Sequence, residues 1–186
     1  SNFGCLTIDT FKISVLPSPL ITASGDTSLC VPTPVQLNAS GGIGYTWAPA
    51  ANLSASNISN PVATPVVTTQ YTVTVVDANN CSATDSVTVS VHQLPNANAG
   101  PDASICINNN TTLNASGGVT YLWSPSTGLS NPNINNPTAN PVITTTYTVT
   151  VTDVNNCVNT DNLVLTVNPL PAINATGGTS VCPNSP

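Results

Sequence analysis

The chain has 186 residues, with a single Lys or Arg (Lys12), one His (His92), seven acidic residues and a formal net charge of −6. With so few cations it is not built to bind a nucleic-acid backbone or an anionic lipid surface, and no run of about 20 apolar residues is present to span a membrane. Sparse charge alone would permit disorder, but β-branched residues are abundant and the apolar residues are patterned, which points to an all-β fold.

The first ten residues, SNFGCLTIDT, lack the basic start and apolar stretch of a signal peptide, so a mature or internal segment is expected. From Pro19 onward the sequence is written twice. Residues 19–94 align with 95–170 without a gap, at an offset of 76, with 38 identities in the 76 pairs. LNASGG at 37–42 recurs at 113–118. Tyr45, Trp47 and Pro49 fall on Tyr121, Trp123 and Pro125, and Tyr71, Asp77 and Leu94 fall on Tyr147, Asp153 and Leu170. Self-similarity at a fixed period marks a tandem array of one structural unit.

Both ends keep the period. Cys5 and Asp9 lie 76 before Cys81 and Asp85, and Cys182 lies 76 after Cys106. The expected organisation is therefore the tail of a preceding repeat at 1–18, repeats at 19–94 and 95–170, and the start of a following repeat at 171–186. A 76-residue period is too long for a solenoid turn and suits a small domain, so beads on a rod are expected.

The elements of one repeat can be followed in chain order through the second copy. TTLNAS (111–116) predicts a short strand, stopped by Gly117-Gly118. VTYLWSP (119–125) predicts another, with Tyr121 and Trp123 on one face. The Pro-broken stretch 131–145 allows only edge strands and turns. TYTVTVTD (146–153) is the best strand, with Tyr147, Val149 and Val151 inward. DVNN is its turn, because Asp and Asn bond back to the backbone there, and NLVLTV (162–167) returns antiparallel. About seven short strands with regular turn signals argue for a sandwich.

The succession PNANAGPDASIC, LNASGG, YLWSP, TTTYTVTVTD, tight turn and closing strand resembles the PKD-type immunoglobulin-like repeats of bacterial surface proteins. It is most similar to the Cys-bearing arrays of Bacteroidetes adhesins of the gliding-motility type. The WDFGDG-like phrase of many PKD units is replaced here by YTWAPAANLS and YLWSPSTGLS. The resemblance implies tandem Ig-like (PKD-like) β-sandwich domains on a secreted or surface-bound bacterial protein.

All six cysteines obey the period, as Cys30, Cys106, Cys182 and Cys5, Cys81, Cys157. Ordered spacing without His clusters fits disulfides in an oxidising, extracellular compartment. Two pairings stay open. Bridges within a repeat, Cys30–Cys81 and Cys106–Cys157, would close loops of about 51 residues, worth roughly 4 kcal/mol in the chain-entropy description. If an Ig-like topology places the two turns at opposite ends, the bottom of one bead would instead be stapled to the top of the next by Cys30–Cys157. Cys5 and Cys182 would pair outside this stretch in either case.

Little else could carry chemistry. His92 sits in VHQLP, expected to be a solvated linker, and Asn168 replaces it one period later, so neither a Ser-His-Asp nor a Cys-His arrangement is formed. Asp26, Asp102, Asp77, Asp153, Asp85 and Asp161 recur in pairs. They are weak Ca²⁺ candidates, and turn and cap chemistry explains them better. Trp47 and Trp123 are expected in the core rather than as sugar-stacking platforms. Ser86, in DSV, resembles a Bacteroidetes O-glycosylation signal, and Asn-x-Ser/Thr sequons recur at positions such as Asn38 and Asn114.

The expected function is that of a structural or adhesive segment of a long extracellular cell-surface protein or filament, with no enzyme activity and no cofactor. Its partners would be neighbouring repeats, like filaments, or a surface ligand or glycan, and not nucleic acid. The alternative is a spacer or carbohydrate-binding module of a secreted hydrolase, which needs an exposed aromatic row.

Overall fold

Alternating Thr with Tyr and Val gives the centre of each repeat its strand. Over Thr69–Val76, the residues Tyr71, Val73 and Val75 are fully buried while the intervening Thr72, Thr74 and Val76 are half-exposed. This period-2 pattern buries one face of a pleated strand and wets the other. The computed structural model describes residues 9–172, and the chain divides between Gln93 and Leu94 into two compact units. All regular structure among the described residues is β.

Unit 1 contains β1 (Thr22–Ala23), β2 (Thr27–Cys30), β3 (Val35–Gln36), β4 (Ala39–Ser40), β5 (Gly44–Ala48), β6 (Val62–Ala63), β7 (Thr69–Val76) and β8 (Ser82–His92). The main sheet has the order β2-β8-β7-β5. β7 pairs antiparallel with both β8 and β5, whereas β2 runs parallel to β8, with Cys30 opposite His92. The short pairs β1–β4 and β3–β6 accompany it.

Unit 2 contains β9 (Ala103–Cys106), β10 (Thr111–Thr112), β11 (Thr120–Ser124), β12 (Thr138–Ala139), β13 (Thr145–Thr152) and β14 (Val158–Asn168). Its main sheet, β9-β14-β13-β11, repeats the first, including the parallel pair in which Cys106 lies opposite Asn168. The minor layer is reduced to β10–β12 and isolated bridges between Asn98 and Ser116 and between Leu129 and Ala139.

The core positions coincide one for one at the period. Leu29, Leu37, Trp47, Tyr71, Val73, Val75, Val87 and Val89 pack together in unit 1. Ile105, Leu113, Trp123, Tyr147, Val149, Val151, Leu163 and Leu165 do so in unit 2. Trp47 is 2% exposed and Trp123 1%. Each indole N–H donates to a backbone carbonyl eleven residues on, Ile58 at 2.9 Å and Ile134 at 3.0 Å. The largest side chain of each core is thus buried without stranding its one donor.

Three elements differ from the sequence reading. TTLNAS forms strand only at Thr111–Thr112. Leu113 and Ala115 still donate to Pro137 and Asn135 carbonyls, but Pro137 has no N–H to return, so the ladder stays one-sided. The closing strand runs from Val158 to Asn168, well ahead of the expected start at 162. His92 is the last residue of β8 rather than a linker residue, and its carbonyl accepts the Val31 N–H at 3.0 Å.

Candidate functional site: the carboxylates, aromatics and cysteines of the repeat

The carboxylates are spent on backbone. Asp77 Oδ1 accepts the N–H groups of Asn79 (2.8 Å) and Cys81 (2.9 Å), and Asp153 Oδ1 does the same for Asn155 and Cys157. Asn80 and Asn156, each at a φ near +60°, complete these turns. Asp26 accepts from Thr88 N–H and Asp102 from Val164 N–H, both at 2.7 Å, tying the start of β2 and β9 to the closing strand.

Asp85 Oδ2 accepts Ala23 N–H and Asp161 Oδ2 accepts Ala99 N–H, each at 2.8 Å. Two backbone donors, Ala23 first and Ser86 second, hold the Asp85 carboxyl below its ordinary value. Among the described residues no three His, Cys, Asp or Glu side chains gather where they could hold a metal ion. The six Asp candidates are separated, and each uses at least one carboxylate oxygen as a backbone acceptor.

The aromatics are likewise engaged. Tyr45 and Tyr121, half-buried, donate their hydroxyls to the carbonyls of Gly42 (2.9 Å) and Gly118 (2.8 Å). Tyr71 and Tyr147 donate to Ala51 (3.3 Å) and Thr127 (2.8 Å), and burial raises the pKa of both. No Trp or Tyr is left as an exposed platform. Ser86 lies exposed on β8, opposite Thr72 of β7.

The cysteines correct the sequence reading most. Cys30 and Cys157 are disulfide-bonded, whereas Cys81 and Cys106 are free thiols. The bridges Cys30–Cys81 and Cys106–Cys157 within a repeat are therefore not formed. Topology forbids them. Cys30 is level with His92 at the far end of β8, while Cys81 precedes Ser82 at its beginning. Ten residues of strand separate those levels, about 33 Å at ~3.3 Å per residue, against the ~7 Å that a disulfide tolerates between Cα atoms. Cys106, level with Asn168, and Cys157, preceding Val158, stand equally far apart. Cys5 and Cys182 lie outside the described residues.

The same turn follows Cys30 and Cys106, made in two ways. Thr33 N–H donates to the Cys30 carbonyl across a cis Val31-Pro32 bond, and Asn109 N–H donates to the Cys106 carbonyl with Asn108 at φ 71°, both at 3.0 Å. The cysteine is held at the strand end in both repeats despite different residues beyond it.

Neither protein-family models nor curated protein sequences match this chain. Among solved structures it is similar to the C-terminal 282-residue fragment of intimin, seen in complex with the intimin-binding domain of the translocated intimin receptor. The TM-score is 0.53 at 16% identity, over 82% of this chain and 65% of that one. It is also similar to the insect immune protein hemolin, with TM-score 0.45 and 13% identity over 81% of this chain and 47% of that one. The two-domain DIP-gamma IG1+IG2 structure gives 0.40 and 9%, over 81% of this chain and 98% of that one. The chain spans less than two thirds of the intimin and hemolin chains. At such identities the likeness is one of fold. The chain is an all-β protein of tandem immunoglobulin-like β-sandwich domains.

Proposed function

We propose that this chain is a stretch of a non-catalytic, extracellular array, adhesive or structural in role, built from 76-residue immunoglobulin-like repeats. The repeats would run over 19–94 and 95–170, with 1–18 and 171–186 belonging to neighbouring units of a secreted, PKD-like bacterial surface protein. The observation that carries the reading is the hydrogen-bond pattern reproduced at the period. Asp85 to Ala23 recurs as Asp161 to Ala99, Tyr45 to Gly42 as Tyr121 to Gly118, and Trp47 to Ile58 as Trp123 to Ile134. Groups that could have done chemistry hold the same fold twice.

The disulfides at Cys30 and Cys157 support an oxidising compartment. Buried Trp47 and Trp123 weigh against the sugar-binding module of a hydrolase, which needs those rings outside. Neighbouring repeats, like filaments or a surface glycan are the partners that fit, and Ser86 is an exposed site that could carry a glycan. Immunogold labelling of intact cells with antibody to this chain tests the reading. Thin, beaded, labelled material on or shed from the surface is expected, and label confined to the cytoplasm would overturn it.

A further inference from the structure

We propose that His92 and Cys30 form an activated thiol pair, in which the imidazole takes the proton of Cys30 and readies its sulfur to attack a small-molecule disulfide. The pair lies wholly within unit 1 and rests on no reading of the protein's function.

The register sets the pair. The sequence reading placed His92 in a linker and so excluded a Cys-His arrangement. In the structure β8 runs through His92, and its parallel neighbour β2 ends on Cys30, the register partner of His92. Residues paired in this way stand about 4.8 Å apart, with their side chains on the same face of the sheet. Leu29 and its partner Val91 pack on the core, so Cys30 and His92 turn to the outer face. Both are half-buried and open to a small molecule from solvent. The Val31 N–H donates to the His92 carbonyl at 3.0 Å, which holds the alignment past the last strand residue.

The surroundings leave the two groups to each other. β2 is an edge strand, so β8 is its only neighbour in the main sheet. On the outer face of β8, His92 is preceded by Thr88 and Ser90, which carry no charge. Thr68, from the segment before β7, accepts the Val91 N–H through its hydroxyl. The ionisable group at the start of β2 is Asp26, four residues from Cys30, or about 13 Å of strand. Its carboxylate is tied to the Thr88 N–H. Among the described residues no hydrogen bond engages the His92 ring. A thiol beside an imidazolium ionises more readily, and the thiolate is the nucleophile. Unit 2 supplies the comparison, because Cys106 lies opposite Asn168 in the same parallel register and an amide takes no proton.

Cys30 is disulfide-bonded in the structure, so the step precedes that bond. The S–H proton of Cys30 passes to the imidazole. The thiolate attacks one sulfur of the small disulfide, and a new S–S bond joins Cys30 to that half. The other half leaves as a thiolate and takes up the proton, so Cys30 is oxidised as the released thiol is reduced.

Oxidised glutathione is the probe. Cleavage before each Asp places Cys30 in peptide 26–76 and Cys106 in peptide 102–152, so mass spectrometry counts each mixed disulfide separately. Cys106 is already a free thiol, so Asn168→His tests the pair in the intact protein without reduction. At about pH 6 this variant should form the Cys106 mixed disulfide about tenfold faster than the wild type. The ratio should fall towards unity by about pH 9, where unassisted thiols also ionise. In chain reduced with a phosphine and shown to be folded by circular dichroism, Cys30 should outpace Cys106 by a like factor at the lower pH. His92→Asn should erase that lead. A Cys106 rate unmoved by Asn168→His, a gain that does not vary with pH, or a Cys30 rate unmoved by His92→Asn overturns the proposal. If reduction unfolds the chain, the Asn168→His arm alone decides.

Discussion

Asp85 Oδ2 accepts the backbone N–H of Ala23 at 2.8 Å, across 62 positions of sequence. The bond fastens the first strand of the unit to its last, and it favours the ionised carboxylate. A carboxyl whose folded pKa is depressed adds stability above its unfolded value, near 3.9, and that stability is lost as pH falls through the lower folded value. Asp85→Asn should melt below the wild type at neutral pH, and the gap should close in acid below about pH 4. A gap that does not change with pH would show that the carboxylate charge is not what the bond uses.

Each repeat holds one Trp, so each reports on its own unit. Trp123→Phe removes the donor to Ile134 and leaves that carbonyl without its partner, at a cost of about 1–3 kcal/mol. The loss should appear in the unfolding of unit 2, followed by backbone amide exchange, with the midpoint of unit 1 read from Trp47 fluorescence. Equal loss of protection in both units would mean that they unfold together.

Gly117 has φ +108°, and an added Cβ would strike the Asn96 backbone carbonyl. Gly117→Ala should destabilise by more than about 1 kcal/mol. Gly25 has no atom within 4 Å of an added Cβ, so Gly25→Ala should be close to neutral. Urea titrations of the two variants give the comparison, and equal midpoints would contradict it.

Burial raises the pKa of Tyr71 and Tyr147. A raised folded value stabilises the fold below the unfolded pKa of about 10, and that contribution is lost as pH climbs through the folded value. Ultraviolet titration should show two phenolates appearing together with loss of β-sheet circular dichroism in strong alkali. Full ionisation of all four Tyr with the dichroism intact would refute the assignment.

Removing divalent cations should leave the melting temperature unchanged, since the six Asp candidates already serve the backbone. Scans with and without chelator check this. A fall of many degrees would make the Asp sets cation ligands.

Local chemistry was readable in the sequence. Alternation named Tyr147, Val149 and Val151 as core, and DVNN at 153–156 announced the turn that Asp153 closes. What stayed hidden depends on pairing between distant segments. Nothing near Cys30 says that its strand runs parallel to β8, yet this register alone decides which bridges are possible. The expected closing strand starts only at Asn162, because VNTD at 158–161 lacks alternating apolar residues. It is strand because β13 pairs with it along its whole length. The clamps of Asp26 and Asp102 were hidden for the same reason, their donors lying 62 residues away.

The parallel pairing of β2 with β8 has a mechanical consequence. Tension on a unit draws the incoming chain one way and the outgoing chain the other. Because β2 and β8 point in the same direction, these opposed pulls try to slide one strand along its neighbour. The four register pairs, from Thr27 with Val89 to Cys30 with His92, are then loaded in shear and must give way together. Antiparallel strands pulled from one end would peel apart one bond at a time. β9 and β14 offer the same resistance in the second repeat, over Ala103–Cys106. Each unit can thus take stretching force through one edge strand and the inner strand paired with it, β2 with β8 and β9 with β14.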